Sequence, residues 1–268
     1  MTVAPEWLAP SSLEEALALR AERGEEATVL AGGTFLAILM NQRLFQPSCL
    51  LSLRGVGELE GISGNGELRL GAMTRHRAVE LSPAVRAGWP ALAEAFSLVA
   101  SPRVRNQATV GGVLADADYA SDPPAMLCAL GARAVARSVS GEREIPIEEL
   151  ITGYYETSLA PDELLVEVRV PQLDGPAVYR KFRTRSHEDR PCVSVAAARR
   201  GSSLRVVVGA VAGRPQLFPE LCARGDPAEV GRAYAEAIEP LSDVRGSAAY
   251  RRRVIAVEVR RALEELSA

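Results

Sequence analysis

Residues 28–38 read TVLAGGTFLAI, and residues 106–116 read NQATVGGVLAD. Each stretch places two adjacent glycines inside an otherwise apolar run. A glycine costs backbone entropy on folding and has no side chain to bury, so the repeated pair needs a physical reason. One reason is that main-chain N–H groups can approach a bulky anion where no Cβ interferes, and that a following helix adds partial positive charge. The two stretches therefore indicate a phosphate-binding cleft.

The spacing of the glycines leaves a second interpretation open. Gly32 and Gly33 match neither the dinucleotide fingerprint GxGxxG nor the P-loop pattern GxxxxGKS. Tight turns explain most isolated glycine pairs, and this remains the alternative for each pair. Two such segments, each with a nearby threonine hydroxyl, would grip a diphosphate from both sides. A Cβ added at Gly32 or Gly112 would then take the place of the diphosphate, and valine at either position would abolish binding.

The residues around the first pair predict a small β–α–β unit. Ser12 and Glu15 form an S-x-x-E capping box, and Gly24 ends the helix that the box begins. ATVLAGG reads as a short buried strand, and TFLAILMNQRL as a helix that Thr34 is available to cap. CLLSL is a second buried strand. This order predicts a parallel unit that ends near residue 53.

The pattern of predicted elements changes after that unit. Asn65-Gly66 between strand-like runs predicts a hairpin, and TRHRAVELSP and PALAEAFSLVAS predict helices. ATVGGVLADADYASD reads as a loop-rich strip. The stretch from Pro123 to Leu150 reads as a helix, a strand, a turn and another strand, and ELLVEVRVP alternates up to Pro171. We place a second boundary there, which predicts lobes at residues 1–53, 54–171 and 172–268.

The last lobe ends in an amphipathic helix, SAAYRRRVIAVEVRRALEEL. Its apolar positions fall on one face at helical spacing, namely Ile255, Val259, Ala262, Leu263 and Leu266. Its arginines fill the opposite face. That face is either solvated or docks against an acidic partner subunit.

Composition excludes several classes of function. The chain has 268 residues, 47% of them hydrophobic, and a formal net charge of −3. It has no apolar run of ~20 residues, no secretion leader and no basic stripe, which predicts a cytoplasmic protein that does not bind nucleic acid. The cysteines are too far apart for a zinc or iron–sulfur site and read as buried thiols, His76 and His187 lack neighbouring metal ligands, and GxSxG is absent.

Two charged residues, Lys181 and Asp122, are further candidates for a ligand site. Lys181 is the only lysine among 31 basic residues. It either marks a place where a compact ammonium is needed instead of a planar guanidinium, or survives by chance. Asp122 lies downstream of the second glycine pair, where it would accept a ribose hydroxyl or cap the helix that begins at Pro123-Pro124.

The order of motifs carries a resemblance to a known family. AGGT, ELEGI, LRLGAMT, ASPRVRNQATVGGVLADADYASDPPAMLCALGA and ELLVEVRVP follow one another as they do in the FAD-binding medium subunit of molybdenum hydroxylases, including carbon monoxide and xanthine dehydrogenases. VRNxATxGG is the most specific element, and the likeness spans nearly the whole chain. The resemblance implies an α+β fold of the vanillyl-alcohol-oxidase (PCMH) type, with two α/β lobes and a C-terminal domain of antiparallel strands and helices.

The resemblance also implies where FAD would lie, between the first two lobes. The residues that would hold its diphosphate are Ala31, Gly32, Gly33, Thr34, Phe35, Thr109, Gly111 and Gly112. Asp122 would contact the ribityl or ribose part, Leu165 would lie by the nucleotide or flavin, and Lys181 would lie near the isoalloxazine ring. A cation there would stabilise the anionic reduced flavin. Tyr119 or Phe35 would pack on the flavin, although plain core packing is an alternative for Phe35.

The resemblance also implies that three different subunits carry the cofactors of the reaction. A large partner would hold the molybdenum cofactor, a small partner would hold two [2Fe–2S] clusters, and this chain would pass electrons through FAD to NAD⁺, a quinone or another acceptor. The complex would be a dimer of heterotrimers, and no proton-transfer residue is assigned to this chain. The alternatives are a stand-alone flavin oxidase of the same fold and an assembly or nucleotide-binding protein without redox activity.

Overall fold

The N-terminal lobe is a three-stranded parallel sheet. The computed structural model describes residues 4–186, 188–223 and 225–268. The sheet has the order β1-β3-β2, and two helices connect its strands. These elements are β1 (Glu6–Leu8), α1 (Leu13–Arg23), β2 (Ala27–Leu30), α2 (Leu36–Asn41) and β3 (Cys49–Ser52). The predicted β–α–β unit is confirmed, and β1 is an additional strand that the sequence reading lacks.

Local sequence determines where the first helix begins and ends. The Ser12 hydroxyl accepts a hydrogen bond from the Glu15 amide at 3.2 Å, and Gly24 ends the helix with a φ of +52°. The Glu15 carboxylate bonds the amide of Ser11 at 2.8 Å, one residue before the position that a capping box prescribes. Ala16 and Leu17 of this helix pack against the buried strand β3.

The central lobe is built on a five-stranded antiparallel sheet with the order β4-β5-β10-β6-β7. Its strands are β4 (Ile62–Ser63), β5 (Leu68–Gly71), β6 (Arg133–Ser138), β7 (Gly141–Pro146) and β10 (Leu164–Val170). A short ribbon, β8 (Ile151–Gly153) with β9 (Glu156–Thr157), projects from it. The Asn65-Gly66 hairpin is confirmed between β4 and β5.

Short helices cover this sheet and supply most of the largest hydrophobic core. They are α3 (His76–Leu81), α4 (Pro83–Gly88), α5 (Pro90–Ser97), α6 (Pro102–Arg105), α7 (Val110–Ala115), α8 (Pro123–Ala129) and α9 (Ile147–Leu150). The helix α7 contradicts the predicted loop-rich strip. Thr109 caps α7, and neighbouring residues position this cap against the sheet. The cap allows a helix to begin where the glycine content predicts a loop.

The C-terminal lobe pairs four antiparallel strands with two long helices. The elements are β11 (Ala177–Phe182), β12 (Val193–Arg200), β13 (Ser203–Gly209), β14 (Gln216–Leu217), α10 (Pro219–Cys222), α11 (Pro227–Ala237) and α12 (Ala248–Leu266). The predicted apolar face of α12 is confirmed as buried. Among the helices that the structure describes, none has both the length and the apolar character required to cross a bilayer.

Strand β12 joins two hydrophobic cores. Val195 and Ala197 face α11 and α12, whereas Ala196 and Ala198 point into the core of the central lobe. Because successive strand residues point to opposite faces, one apolar strand can be buried on both sides. The predicted lobe boundaries at residues 53 and 171 stay predictions, and each falls between two of these sheets.

Candidate functional site

The first glycine segment, Ala31–Phe35, is an open turn between β2 and α2. Gly33 has a φ of +70°, a conformation that favours glycine over residues with a Cβ. Among the residues that the structure describes, none accepts a hydrogen bond from the amides of residues 32–35. Helix α2 has Phe35 at its N-cap position and no side-chain cap, so the predicted Thr34 cap is wrong. The segment therefore presents a run of four amides that remain available to a ligand.

The second glycine segment differs, because it lies in the first turn of α7. The Gly111 amide donates to the Ala72 carbonyl at 2.7 Å, and the Gly112 amide donates to the Thr109 hydroxyl at 3.1 Å. Thr109 is the N-cap of the helix, and both it and Gly111 are buried. Both amides of the second glycine pair therefore already donate to acceptors within the protein. The expectation that both glycine pairs present free amides is wrong for the second pair, and only the first pair presents them.

The two segments lie directly against each other. A Cβ built on Gly32 would come within 2.1 Å of the carbonyl oxygen of Gln107, and one built on Gly112 would lie 2.7 Å from the Thr109 hydroxyl. The expectation that such a Cβ would fill the place of a diphosphate is corrected, because the nearest atoms belong to the protein itself. The absence of a side chain at Gly32 lets the N-terminal and central lobes touch backbone to backbone at this point.

A cavity of about 150 Å³ opens beside this contact. Its lining combines the first glycine segment (Ala31, Gly32), the ends of β2 and β3 (Leu30, Ser52) and the loops that follow them, together with Gln107 and Thr109. The carboxyl ends of parallel strands are the usual edge of an open sheet for ligand binding. The cavity therefore lies where the N-terminal sheet and both glycine segments meet.

Asp122 and Lys181 form a buried ion pair. The Lys181 ammonium lies 2.9 Å from one Asp122 carboxylate oxygen, and the Tyr179 hydroxyl donates to the other at 2.7 Å. The ammonium also donates to the Leu98 carbonyl at 2.8 Å. Burial raises the pKa of Asp122, an effect that Lys181 and Tyr179 oppose. Asp122 makes no side-chain capping bond to the helix that follows, so the capping alternative is wrong.

An aromatic cluster, which the sequence reading missed, lies at the end of the first glycine segment. The Phe35 and Tyr155 rings are parallel with centroids 5.7 Å apart, and the Tyr119 ring meets Tyr155 edge-on. The Arg190 guanidinium lies 6.0 Å from the Phe35 ring centre and bonds Asp118 at 2.7 Å. Phe35 is half-buried and belongs to none of the three hydrophobic cores. The pair Tyr154-Tyr155 at a hairpin tip was the available sequence signal.

A polar network connects this cluster to the C-terminal lobe. Arg251 of α12 is fully buried and bonds the carbonyl oxygens of Cys192 and Ala210 as well as the Asp243 carboxylate. The Tyr119 hydroxyl donates to Asp243 at 3.1 Å. Burial disfavours the Asp243 carboxylate, but the Arg245 amide and the Arg251 guanidinium outweigh it and hold the pKa of Asp243 at about 2. Asp243 therefore stays ionised and fixes Tyr119.

Comparison with known proteins identifies the family. Residues 2–173 match the FAD binding domain in molybdopterin dehydrogenase, and residues 177–266 match the CO dehydrogenase flavoprotein C-terminal domain. The chain belongs to this flavoprotein family. The expected α+β fold with a C-terminal flavoprotein domain is thereby confirmed, and the chain is an FAD-binding subunit of the oxidoreductases called molybdenum hydroxylases.

Relatives of this flavoprotein align over almost its full length. It is 35% identical to the 6-hydroxypseudooxynicotine dehydrogenase complex subunit alpha of Paenarthrobacter nicotinovorans, over 96% of this chain and 93% of the relative. It is 34% identical to the carbon monoxide dehydrogenase medium chain of Hydrogenophaga pseudoflava, over 96% and 95%. A solved carbon monoxide dehydrogenase from that organism superposes with a TM-score of 0.93 at 32% identity, over 99% of this chain and 98% of that one.

Within this flavoprotein the predicted site residues fall into two groups. Residues 31–35 adjoin the Thr109–Gly112 segment, and Asp122 bonds Lys181. Leu165 packs in the core of the central lobe and is 6% exposed. The cofactor contacts assigned to all these residues stay predictions.

The four cysteines and His76 of the flavoprotein are buried. All four cysteines are free and buried, which confirms their reading as thiols. His76 is buried against Phe96 with its Nε2 3.1 Å from the Thr109 carbonyl. Burial lowers the pKa of His76 to about 4. His187 lies outside the described residues, and within them no group of three metal-binding side chains occurs.

Proposed function

We propose that this chain holds FAD across the cleft between its N-terminal and central lobes and relays electrons from [2Fe–2S] clusters of a small partner subunit. The acceptor would be NAD⁺, a quinone or another oxidant. A large partner would carry the molybdenum cofactor and oxidise the substrate. The observation that carries the proposal is the run of four unpaired amides at residues 32–35, placed against the second glycine segment at the mouth of a cavity.

The donor set of the first glycine segment fits a diphosphate. Phosphate oxygens need several hydrogen-bond donors, and consecutive main-chain amides in a turn form an anion-binding concavity. Gly32 brings this turn into contact with Gln107, so the donors are held on a rigid base. The second segment supports the site indirectly. The Thr109 hydroxyl caps α7 and the Gly111 amide donates to the Ala72 carbonyl, so both groups hold α7 in place.

The remaining residues suit the holding and orienting of a ring system. When bound, FAD supplies the electron transfer, and the protein supplies position and electrostatics. The parallel rings of Phe35 and Tyr155 offer a flat aromatic surface at the end of the diphosphate turn. Lys181 forms a neutral pair with Asp122, so it would act on a nearby ring through the dipole of the pair instead of a full positive charge.

Exposed apolar side chains in α2 and in the segment that follows it support the presence of partner subunits. Ile38, Leu44 and Phe45 are 49%, 70% and 41% exposed in the isolated chain. Contiguous exposed apolar side chains are a property of interaction surfaces. We place this face against a partner in a dimer of heterotrimers, and we assign the complex to the cytoplasm.

The test is purification of the native complex followed by assays of flavin, iron and molybdenum. We expect one FAD per copy of this chain, together with iron and molybdenum on co-purifying chains. A chain without flavin would favour an assembly or nucleotide-binding role, and flavin without metal-containing partners would favour a stand-alone oxidase. Reduction of NAD⁺ and of a soluble quinone by the substrate-reduced complex then identifies the acceptor.

The role of Lys181 requires a double variant. Lys181→Met alone leaves Asp122 as a buried unpaired charge, which is strongly destabilising, so a changed flavin potential in that variant would have two causes. The pair Lys181→Met with Asp122→Asn removes both charges together. We expect it to retain FAD and to shift the flavin potential, and an unshifted potential would remove Lys181 from the proposal.

A further inference from the structure

An apolar band of exposed side chains runs across all three lobes of the chain. Its members are large apolar side chains that are between 41% and 76% exposed. They are Ile38, Leu44 and Phe45 of the N-terminal lobe, Tyr154 and Tyr155 of the central lobe, and Val244 of the C-terminal lobe. More than half of the exposed large apolar side chains in the described residues belong to the band. Such clustering, unlike scattered single residues, is a property of interaction surfaces.

One tyrosine joins the central part of the band to its C-terminal end. The Tyr119 ring meets the Tyr154 ring edge-on with centroids 5.3 Å apart, and its hydroxyl donates to Asp243 at 3.1 Å. Val244 follows Asp243 in a tight turn, because the main chains of Asp243 and Gly246 bond each other. Tyr154 and Val244, which are distant in sequence, therefore both lie beside Tyr119.

The Phe35–Tyr155 ring pair joins the central part of the band to its N-terminal end. The two rings are parallel with centroids 5.7 Å apart, and the Ile38 amide donates to the Phe35 carbonyl at 2.9 Å. The segment after α2 folds back, because the amides of Leu44 and Phe45 both donate to one carbonyl of that helix. The band is therefore continuous across the three lobes.

Backbone strain and a buried charge hold the band in one conformation. Ala117 and Tyr155 have φ values of +47° and +57°, which are unfavourable for residues with a Cβ, and the Tyr155 amide donates to the Ala117 carbonyl at 3.2 Å. At the C-terminal end, the fully buried Arg251 bonds the Asp243 carboxylate. A surface that is fixed before binding loses little conformational entropy when a partner docks.

Positive charge borders the band. Three exposed arginines beside it form no ion pair within the described part of the chain, namely Arg43, Arg185 and Arg214. Arg185 donates to the Val244 carbonyl at 3.1 Å, and a Cβ built on Gly213, the residue before Arg214, would lie 3.0 Å from the Tyr154 ring. A partner with carboxylates around an apolar centre is complementary to this arrangement.

We propose that the apolar band is a docking surface for one protein subunit, whose contact face has an apolar centre and carboxylates at its border. The inference rests on the proposed function, which supplies partner subunits, and it extends the face at α2 into the central and C-terminal lobes. Aromatic side chains are enriched in the buried centres of protein interfaces. The net charge of −3 disfavours a nucleic acid or an anionic membrane as the occupant.

Val244 and Val139 provide a matched pair for the test. Both valines lie in turns, and they are 76% and 60% exposed, but Val139 lies between β6 and β7, outside the band. The native complex is separated into this chain and its remaining subunits, and the dissociation constant for reassembly is measured. We expect Val244→Asp to weaken reassembly about 10-fold or more, because it buries a charge opposite apolar and acidic groups, and Val139→Asp to reassemble like the wild type.

Circular dichroism confirms that both variants fold. Reassembly of Val244→Asp with the affinity of the wild type overturns the proposal. Binding of the free wild-type chain to vesicles of phosphatidylcholine and phosphatidylglycerol, abolished by Val244→Asp, would assign the band to a membrane and overturn it as well.

Hydrogen exchange shows whether the partner covers the whole band. We expect amides in residues 38–46, 153–156 and 241–246 to exchange more slowly in the native complex than in the free chain, and those in residues 138–141 to be unchanged. A complex that contains FAD, iron and molybdenum, but whose band exchanges as in the free chain, overturns the docking surface and leaves the proposed function standing. A chain that purifies without partner subunits overturns both.

Discussion

Gly32-Gly33 and Gly111-Gly112 have closely similar sequence surroundings, yet the first pair lies in an open turn and the second in the first turn of a helix. The amides of the first pair have no partner among the described residues, whereas Ala72 and Thr109 accept from those of the second. A glycine pair near a proposed phosphate site can therefore present its own amides, or it can instead permit close packing of the backbone that supports them.

The largest effect is expected at Gly32, where the two segments touch. Gly32→Ala places a Cβ 2.1 Å from the Gln107 carbonyl oxygen, a backbone atom that no rotamer change can move. We expect the amide turn to be displaced and FAD content to fall to less than a tenth of the wild-type value. Flavin absorbance per purified chain measures this.

Two matched variants test whether the loss of FAD is specific to Gly32. Gly57→Ala has no heavy atom within 4 Å of its new Cβ and should retain FAD. Gly111→Ala meets the Ala72 Cβ at 2.7 Å, so it should lower the free energy of unfolding by about 1–3 kcal/mol while folded molecules still bind FAD. Wild-type flavin content in Gly32→Ala would show that the first pair is dispensable for FAD binding. It would contradict the difference in role between the two glycine pairs.

The second prediction concerns pH and the residues beneath the second glycine pair. The neutral His76 imidazole donates from Nε2 to Thr109, and its Nδ1 is buried without a partner in the described structure. Its pKa is about 4 when folded and near 6.5 when unfolded, so the unfolded chain binds the proton first as pH falls. Stability is therefore lost between pH 6.5 and 4, by up to about 3 kcal/mol.

Urea unfolding of the wild type and of His76→Asn at pH 7, 6 and 5 isolates this contribution. Asp116 acts in the opposite direction, because burial and Asp118 raise its pKa to about 7 and its contribution to stability falls as pH rises from about 4 to 7. Both proteins contain Asp116, so the difference between their pH profiles belongs to His76. Parallel profiles would contradict the assignment.

The smallest effect compares the two threonines. Thr109 caps α7, so Thr109→Ala should lower the free energy of unfolding by about 1 kcal/mol. Thr34 makes no capping bond to α2, and Thr34→Ala should change it by less than about 0.5 kcal/mol. Chemical denaturation of both variants measures the pair, and equal losses would mean that both turns are capped in solution.

Much of the fold followed from local patterns. The Ser12 cap, the Asn65-Gly66 hairpin, the buried run at residues 49–52 and the apolar face of α12 could all be predicted, because each is decided by residues close together in the chain. The helical state of Val110–Ala115 could not, since it depends on contacts with Ala72 and Thr74 in the sheet.

Two glycine pairs, one lysine and a characteristic order of motifs can all be read along the chain, and together they were sufficient to predict the flavoprotein family. The folded chain was needed to show which glycine amides are open, that Lys181 is paired with Asp122, and that Trp7 lies beside the glycine turn that ends at Phe35. The physical reason is that hydrogen-bond partners and burial are set by residues distant in sequence, which no local pattern specifies.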